Sequence, residues 1–242
     1  MTELRVIPVD GIGEVRESDD VGALLVAAAP LEDGDVVVVA QKIVSKAEGR
    51  VVRLADVTPS DLARELADDH DPAQVEVVLR ESVRLVRARG DFLIAETRHG
   101  FVCASAGVDA SNTPAPGTLV LLPVDPDASA ARIRARVRNA TGLTVGVIVS
   151  DSFGRAWRIG TTDVAIGAAG LRVLLDLRGV RDPTGYELRA TQIAVADEIA
   201  GAAELVMGKT AGVPAAVVRG LDLAGDGTAR DLVMPAERDL FR

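Results

Sequence analysis

Two short stretches of this 242-residue chain are apolar along their whole length, and they limit its fold most strongly. They read "DVVVVA" (35–40) and "TVGVIVS" (144–150). A strand without polar alternation is buried on both faces, so helices must cover both sides of its sheet. We therefore predict a mixed α/β (α+β) fold. Further strands are predicted at 4–9, 118–124 and 213–220, a β-hairpin at 92–107 with its turn at His99-Gly100, and helices at 19–29, 58–69, 71–82, 127–140 and 191–208.

Capping residues indicate where two of these helices begin. Ser18 or Asp19 is in place to cap the first helix. Thr58 is placed to cap the second, with Pro59 at the first helical position and Asp61 completing a capping box. These starts are predictions about single residues and are tested below.

Composition limits the classes of partner and the compartment. The net charge is -9 and the pI about 4.8, which argues against binding to nucleic acid or to an anionic membrane surface. The single cysteine, Cys103, permits no disulfide within the chain and fits a reducing compartment. No signal-like or membrane-spanning apolar run is present. We expect a soluble, cytoplasmic protein in which Cys103 is a small buried apolar side chain.

The basic residues are unevenly chosen, because 24 arginines accompany only three lysines. Lys42 and Lys46 follow the first apolar strand in "AQKIVSKAEG", which we interpret as a strand-to-loop transition. A compact ammonium group on a flexible stem suits a phosphate that moves during a reaction, and exposed solubilising charge is the alternative. The third, Lys209, lies in "MGKT", where Ala203 replaces the glycine that a Walker loop needs. Lys209 can still approach a phosphate from another geometry.

Polar residues follow the second apolar strand at the point where ligands gather in α/β sheets. Asp151 and Ser152 form an oxygen-donor pair suited to Mg²⁺ or Mn²⁺. Arg155 and Arg158 are spaced to share an anion. A polar turn is the alternative interpretation, and the surrounding glycine-rich stretch 151–170 shows no clear periodicity.

A second carboxylate, Asp109, lies in "SAGVDASN" close to Asn112. By itself it is typical of an Asx turn, whereas together with Asp151 it would complete a metal site whose remaining ligands are phosphate oxygens. The acidic pair Asp197 and Glu198, within the last helix, fits a solvated face.

Five segments taken in order resemble one family, the coenzyme F420-0:L-glutamate ligases, which are γ-glutamyl ligases of deazaflavin cofactor biosynthesis. They are "DGDVVVVAQKIVSKAEGR", "SAGVDASN", "VSDSFGRAWRIGTTDVAIGAAG", "RGVRDPTGYELRATQIAVADEIA" and "VPAAVVRG". The resemblance implies a GTP-dependent enzyme that adds L-glutamate to the lactyl carboxylate of coenzyme F420-0 and then to the γ-carboxylate of that glutamate. It also implies an acyl-phosphate intermediate, two divalent ions (Mg²⁺ or Mn²⁺), and K⁺ as a further candidate ion.

The same resemblance implies an architecture of two interlocked subdomains and a homodimer. It is strongest to the ligase half of two-domain actinobacterial enzymes. We expect a single ligase domain over residues 1–242, without the nitroreductase-like second domain of the fused relatives. A metal-nucleotide binding module without activity, or a ligase for another acidic acceptor, are the alternatives.

Site residues are carried over by position. The resemblance implies metal ligation by Asp109, Asp151 and Ser152, and a phosphate contact by Lys46. Lys46 and, from its spacing, Arg155 are the candidate catalytic residues. The expected nucleotide contacts are Ile12, Gly13, Glu14 and Val15 through their backbone, and Gln41, Lys46 and Asn112 through their side chains; the segment 207–213 is carried over only as lying near the nucleotide.

Overall fold

The computed structural model describes residues 3–90 and 92–240 of the chain. Six α-helices and twelve strands lie within these ranges. The helices are α1 (Val21–Ala28), α2 (Gln41–Ala47), α3 (Asp61–Leu66), α4 (Pro72–Glu81), α5 (Pro126–Thr141) and α6 (Val195–Met207). The strands are β1 (Arg5–Pro8), β2 (Val36–Ala40), β3 (Val51–Arg53), β4 (Ser82–Arg89), β5 (Phe92–Thr97), β6 (Val102–Ala104), β7 (Thr118–Val120), β8 (Gly146–Arg155), β9 (Arg158–Ala169), β10 (Leu175–Asp176), β11 (Gln192–Ile193) and β12 (Ala215–Arg219).

The two apolar strands are neighbours at the centre of a five-stranded sheet with the order β1-β12-β2-β8-β9. β2 and β8 run parallel, and the other pairs are antiparallel. Val37 and Val39 point into a core with α1 and α5, whereas Val36 and Val38 point into a second core with α6. Burial on both faces is thus confirmed, and so is the mixed α/β class that it predicts.

A second unit is inserted into the chain between α2 and α5. It contains the sheet β4-β5-β6, the pair β3-β7 and the helices α3 and α4. These elements enclose a third core, which includes Val75, Leu93 and Leu119. The predicted hairpin is confirmed, since β5 and β6 pair antiparallel across Gly100. Because the chain leaves the central sheet and returns to it, the two units are connected by two crossings.

The stretch after β2 differs from the prediction. Residues 41–47 form helix α2, so the expected strand-to-loop transition is wrong. Ile43, Val44 and Ala47 recur at helical spacing and pack against the first core. This apolar period was present in the sequence and was obscured by the polar residues between its members.

The stretch without periodicity forms most of a long hairpin, because β8 extends to Arg155 and β9 returns antiparallel to it. β9 is an edge strand, and unpaired N–H groups at a sheet edge invite aggregation. Three carboxylates accept hydrogen bonds from these groups instead. The pairs are Asp163 N to Glu204 Oε2 at 3.0 Å, Ala165 N to Asp197 Oδ1 at 2.9 Å and Ala168 N to Asp127 Oδ1 at 2.8 Å. The expectation of a solvated Asp197 is therefore wrong.

Three predicted helix starts are shifted. Asp20, rather than Ser18 or Asp19, caps α1 by accepting from Ala23 N at 2.9 Å. Ser60, rather than Thr58, caps α3. α6 begins only at residue 195, since the residues before it pair as β11. In the described ranges no helix has the length and apolarity needed to cross a membrane.

Candidate active site

A cavity of about 510 Å³ opens at the edge of the central sheet where the parallel pairing of β2 with β8 ends. Ligands of α/β proteins bind at this position because the chain turns away from the sheet there and leaves a crevice. β1 ends at the same edge and leads into residues 12–15, and the segment 207–214 precedes β12 there. Ile12, Gly13, Glu14 and Val15 all line the cavity, as predicted contacts of a nucleotide would.

The inserted unit closes one side of this cavity. Lys42 Nζ lies 2.7 Å from Asp109 Oδ2 and donates to Ser111 Oγ at 2.6 Å. Asn112 lines the cavity and its Nδ2 donates to the carbonyl oxygen of Lys209 at 3.4 Å. Asp109 also forms the Asx turn, because its Oδ1 accepts from Ser111 N at 2.6 Å. The two interpretations of Asp109 are thus compatible.

All three lysines of the chain line this cavity, and none of the arginines in the described residues does. Lys46 is 7% exposed and its Nζ lies 2.6 Å from Glu14 Oε1. Lys209 Nζ contacts Ser152 Oγ and lies 3.7 Å from Asp163 Oδ1 and 3.9 Å from Glu204 Oε1. Helix α2 and the segment after α6 therefore gather the rare cation type at one place.

Carboxylates outnumber the ammonium groups around the cavity, since Asp109, Asp151, Asp163, Glu14 and Glu204 face three lysines. Burial, together with the neighbouring carboxylates of Asp109 and Asp163, raises the pKa of Asp151 to about 7. Burial alone would raise the pKa of Asp109, but the Lys42 ammonium group and hydrogen bonds from Ser111 lower it below its usual range. The cavity thus carries more negative charge than its own cations neutralise.

This charge balance fits divalent ions, and so does the chemistry of the donors, which are hard carboxylate and hydroxyl oxygens. Asp109, Asp151 and Ser152 would hold such ions, as the sequence predicts. Within residues 3–90 and 92–240, no three acidic, histidine or cysteine side chains are already clustered for an ion. Lys42 and Lys209 lie between the acidic groups instead, in positions where they neutralise the same oxygens.

The sequence interpretation missed Asp163, which is 5% exposed and lies opposite Ser152 in the β8–β9 register. Its carboxylate accepts from Ser150 Oγ at 2.9 Å and from Ser152 Oγ. Glu204 was missed as well. In the sequence, Asp163 is an acidic residue at a spacing that lets a hairpin place it opposite "SDS". This pairing can be recognised only once both strands of the hairpin are assigned.

Gln41 has an unsatisfied donor directed at the site. It is 1% exposed, lines the cavity and accepts from Ser45 Oγ at 2.8 Å through Oε1. Its Nε2 is the sole buried side-chain nitrogen or oxygen without a hydrogen-bond partner in the described part of the chain. Such a group costs about 1–3 kcal/mol unless a ligand accepts from it.

The structure does not bring Arg155 to the cavity. It is exposed near the tip of the β8–β9 hairpin, where its guanidinium donates to the Ile159 carbonyl oxygen at 3.4 Å. Arg158 is exposed on the same tip. The catalytic role of Arg155 stays a prediction, and the exposed position of its side chain away from the cavity does not support it.

Comparison with known proteins identifies the family of this chain. The profile of the F420-0:Gamma-glutamyl ligase family matches residues 11–220. The coenzyme F420:L-glutamate ligase of Methanopyrus kandleri is 47% identical, over 99% of this chain and 98% of that protein. Those of Methanothermobacter thermautotrophicus and Archaeoglobus fulgidus are 44% and 43% identical, over 99% of this chain and 99% and 96% of their own lengths. The chain belongs to the F420-0:γ-glutamyl ligase family.

Proposed function

We propose that this protein is a GTP- and divalent-metal-dependent ligase that adds L-glutamate to coenzyme F420-0 and then to the γ-carboxylate of the product. Family membership supports a ligase acting on this cofactor. The observation that carries the nucleotide and metal dependence is the cavity itself, in which every lysine of the chain faces an excess of carboxylates. Lysines bind phosphate oxygens, and the carboxylates need divalent cations to balance them.

The nucleotide would lie along the sheet edge between residues 12–15 and helix α2. Lys46, at present paired with the exposed carboxylate of Glu14, exchanges that partner for a phosphate. Gln41 Nε2 donates the hydrogen bond that it lacks to a nucleotide acceptor. Asn112, from the inserted unit, contacts the nucleotide from the opposite side.

The reaction proposed for this site has two steps. The acceptor carboxylate attacks the γ-phosphorus, the bridging P–O bond breaks and GDP leaves, so that an acyl phosphate remains. The glutamate amine then attacks the acyl carbon, the C–O bond to phosphate breaks and phosphate leaves. Phosphoryl transfer of this kind depends on positioning and charge neutralisation.

The chain's residues would serve both steps as ligands and clamps. Bound Mg²⁺ or Mn²⁺ would supply charge neutralisation at the phosphate oxygens. Asp109, Asp151 and Ser152 hold the ions, with K⁺ as a further candidate, and Lys46 follows the transferred phosphoryl group. Asp163 accepts from Ser150 and Ser152, which orients both hydroxyl groups, and an ion at Ser152 would replace the Lys209 ammonium group that Ser152 Oγ now accepts from.

The proposal includes a homodimer in the cytoplasm. The tip of the β8–β9 hairpin supports the dimer, because Trp157 and Ile159 are 82% and 102% exposed there. Large apolar side chains on a projecting hairpin suit a protein interface. Light scattering after gel filtration measures the assembly, and a monomer at micromolar concentration would remove this part of the proposal.

One assay tests the reaction. The protein is incubated with GTP, L-glutamate, coenzyme F420-0 and Mn²⁺ or Mg²⁺, and product mass and GDP are followed together. Added glutamyl units with matching GDP support the proposal. GTP binding without GDP release indicates the inactive binding module, and GDP release only with another acidic acceptor indicates a different substrate. Either of these two outcomes rejects the proposed reaction.

A further inference from the structure

A second cavity, of about 260 Å³, lies beside the active-site cavity and has no role in the function proposed so far. We call it the aromatic groove. Four parts of the chain form it: the turn between β5 and β6, the β8–β9 hairpin, helix α6 through Asp197, and the segment that follows residue 228. The lining side chains used here are Phe101, Val102, Phe153, Asp197, Val233 and Met234.

Aromatic rings are concentrated at this groove although the chain has few of them. Aromatic residues make up 2% of the sequence, and two of the four phenylalanines line the groove. The rings of Phe101 and Phe153 meet edge to face, with centroids 6.0 Å apart. His99 stacks on Phe101, with ring centroids 5.5 Å apart. Such faces favour a flat aromatic ligand.

The groove and the active-site cavity adjoin along two neighbouring strands. Asp151 lines the cavity and Phe153 lines the groove, and because they are two residues apart on β8 their side chains point to the same face of the strand. The groove residues Val164 and Ala165 follow Asp163 on β9. One to two residues of a strand span about 3–7 Å. Two of the carboxylates that accept hydrogen bonds from the edge of β9 are also shared between the two sites. Glu204 lines the cavity and Asp197 lines the groove. One elongated molecule can therefore occupy both.

We propose that the aromatic groove binds the planar ring system of the acceptor while the acidic end of the acceptor reaches Asp151 and Ser152. The inference rests on the proposed function, which requires an acceptor with a deazaflavin ring at one end and a reactive carboxylate at the other. Ligand pockets combine apolar walls with a few polar groups that fix orientation. Here the walls are Phe101 and Phe153, and the Asp197 carboxylate is the polar group.

Binding of the ring in the groove should contribute to acceptor affinity and not to the chemical steps of the reaction. The ring of the acceptor lies away from the nucleotide, so blocking the groove raises the acceptor KM without changing GTP affinity. Met234 is 52% exposed at the groove, so Met234→Trp fills its opening without disturbing a core. Val83 is 62% exposed on β4, away from the groove, and Val83→Trp is the matched control. Phe153→Leu removes a ring and keeps an apolar side chain.

The experiment titrates the wild type and the three variants with a deazaflavin that lacks the acidic tail and follows its fluorescence. We expect Met234→Trp and Phe153→Leu to raise its Kd at least about tenfold, which corresponds to about 1.4 kcal/mol. Val83→Trp should leave the Kd unchanged. Melting curves show whether each variant is folded, and GTP titration should give the same Kd for all four proteins.

The outcomes separate the groove from the reaction. Equal deazaflavin affinity in the wild type and a folded Met234→Trp overturns the groove, and so does a wild type that does not bind the tail-less ring. If the groove is wrong and the proposed function is right, Met234→Trp turns over coenzyme F420-0 with an unchanged acceptor KM. If the proposed function is wrong, the wild type itself gives no glutamylated product, whatever the ring titration shows.

Discussion

Two segments that carry basic residues follow the paired parts of neighbouring parallel strands, but their cations lie in different environments. Lys42 and Lys46 follow β2, and Arg155 lies beyond Ser150 on β8, where the two strands are parallel neighbours. Lys46 is buried at the cavity, whereas Arg155 is exposed on a projecting hairpin. Residue type and position after a strand are thus insufficient to place a cation in a site.

The path of the chain after the strand explains the difference. After β2 the chain turns into helix α2, which advances about 1.5 Å per residue, so Lys46 remains within about 9 Å of the sheet edge. β8 continues as a strand at about 3.3 Å per residue, which carries Arg155 about 16 Å beyond Ser150. The short rise of a helix keeps Lys46 beside the crevice, whereas the longer rise of a strand carries Arg155 away from it. The predictions below test this contrast.

The largest effect is expected for Lys46→Ala. Removing one charge that stabilises the transferred phosphoryl group costs about 100-fold or more in kcat. Its present partner, Glu14, is exposed with a side chain 60% accessible, so the variant leaves no buried unpaired carboxylate and should melt as the wild type does. Steady-state kinetics and thermal melting measure both. Parallel losses of folding and activity would instead assign Lys46 a structural role.

Asp151→Asn should lower activity and raise the stability of the metal-free protein. The pKa of Asp151 is raised from 3.8 to about 7 in the fold. Between these values the folded state binds more protons than the unfolded state, so stability falls as the pH rises from about 4 to 7. Asparagine removes this fall. Above pH 7 the variant, treated with a chelator, should melt about 5 °C or more above the wild type.

Adding Mn²⁺ sharpens the same test. The ion should raise the melting temperature of the wild type, because a ligand bound only by the folded state stabilises it. It should have little effect on Asp151→Asn, which lacks the carboxylate. An equal rise in both proteins would show that Mn²⁺ binds elsewhere and would remove Asp151 from the metal site.

The central sheet was predictable from the sequence because its signals are local. Four consecutive valines need no knowledge of distant residues to indicate a strand buried on both faces. The β8–β9 hairpin was not, since its outer half is solvated and its polar residues follow pairing rather than burial. The prediction of the residue that caps α3 was wrong for a related reason. Thr58 and Ser60 can both cap a helix, and tertiary packing decides which of them does.

The site was predictable only in part. Asp151, Lys46 and Gln41 follow apolar strands, so their place at the sheet edge could be inferred from the sequence. Asp163 could not, because it joins the site through the register of β9 against β8. The ion pair of Lys46 with Glu14 joins residues 32 positions apart, and no local pattern indicates it.

A smaller effect is expected for Glu14→Gln, which tests whether the ion pair with Glu14 weakens the binding of a phosphate by Lys46. The Glu14 carboxylate competes with a phosphate for Lys46, and because the Glu14 side chain is 60% exposed, the ion pair is worth up to about 1 kcal/mol. GTP affinity should therefore rise up to about fivefold, as measured by calorimetry. The expected backbone contacts of residues 12–15 are unchanged. Weaker GTP binding would show that the Glu14 side chain itself serves the nucleotide.

The smallest effect is expected for Arg155→Ala. Its guanidinium reaches only a carbonyl oxygen of its own hairpin, and exposed contacts contribute little. kcat and the GTP KM should change by less than about threefold. Arg158→Ala, on the same tip, is the matched control for a general loss of charge. A loss of about 100-fold in Arg155→Ala alone would restore the catalytic role predicted from the sequence. It would also mean that the hairpin reaches a cavity in the working assembly, and the contrast with α2 would then fail.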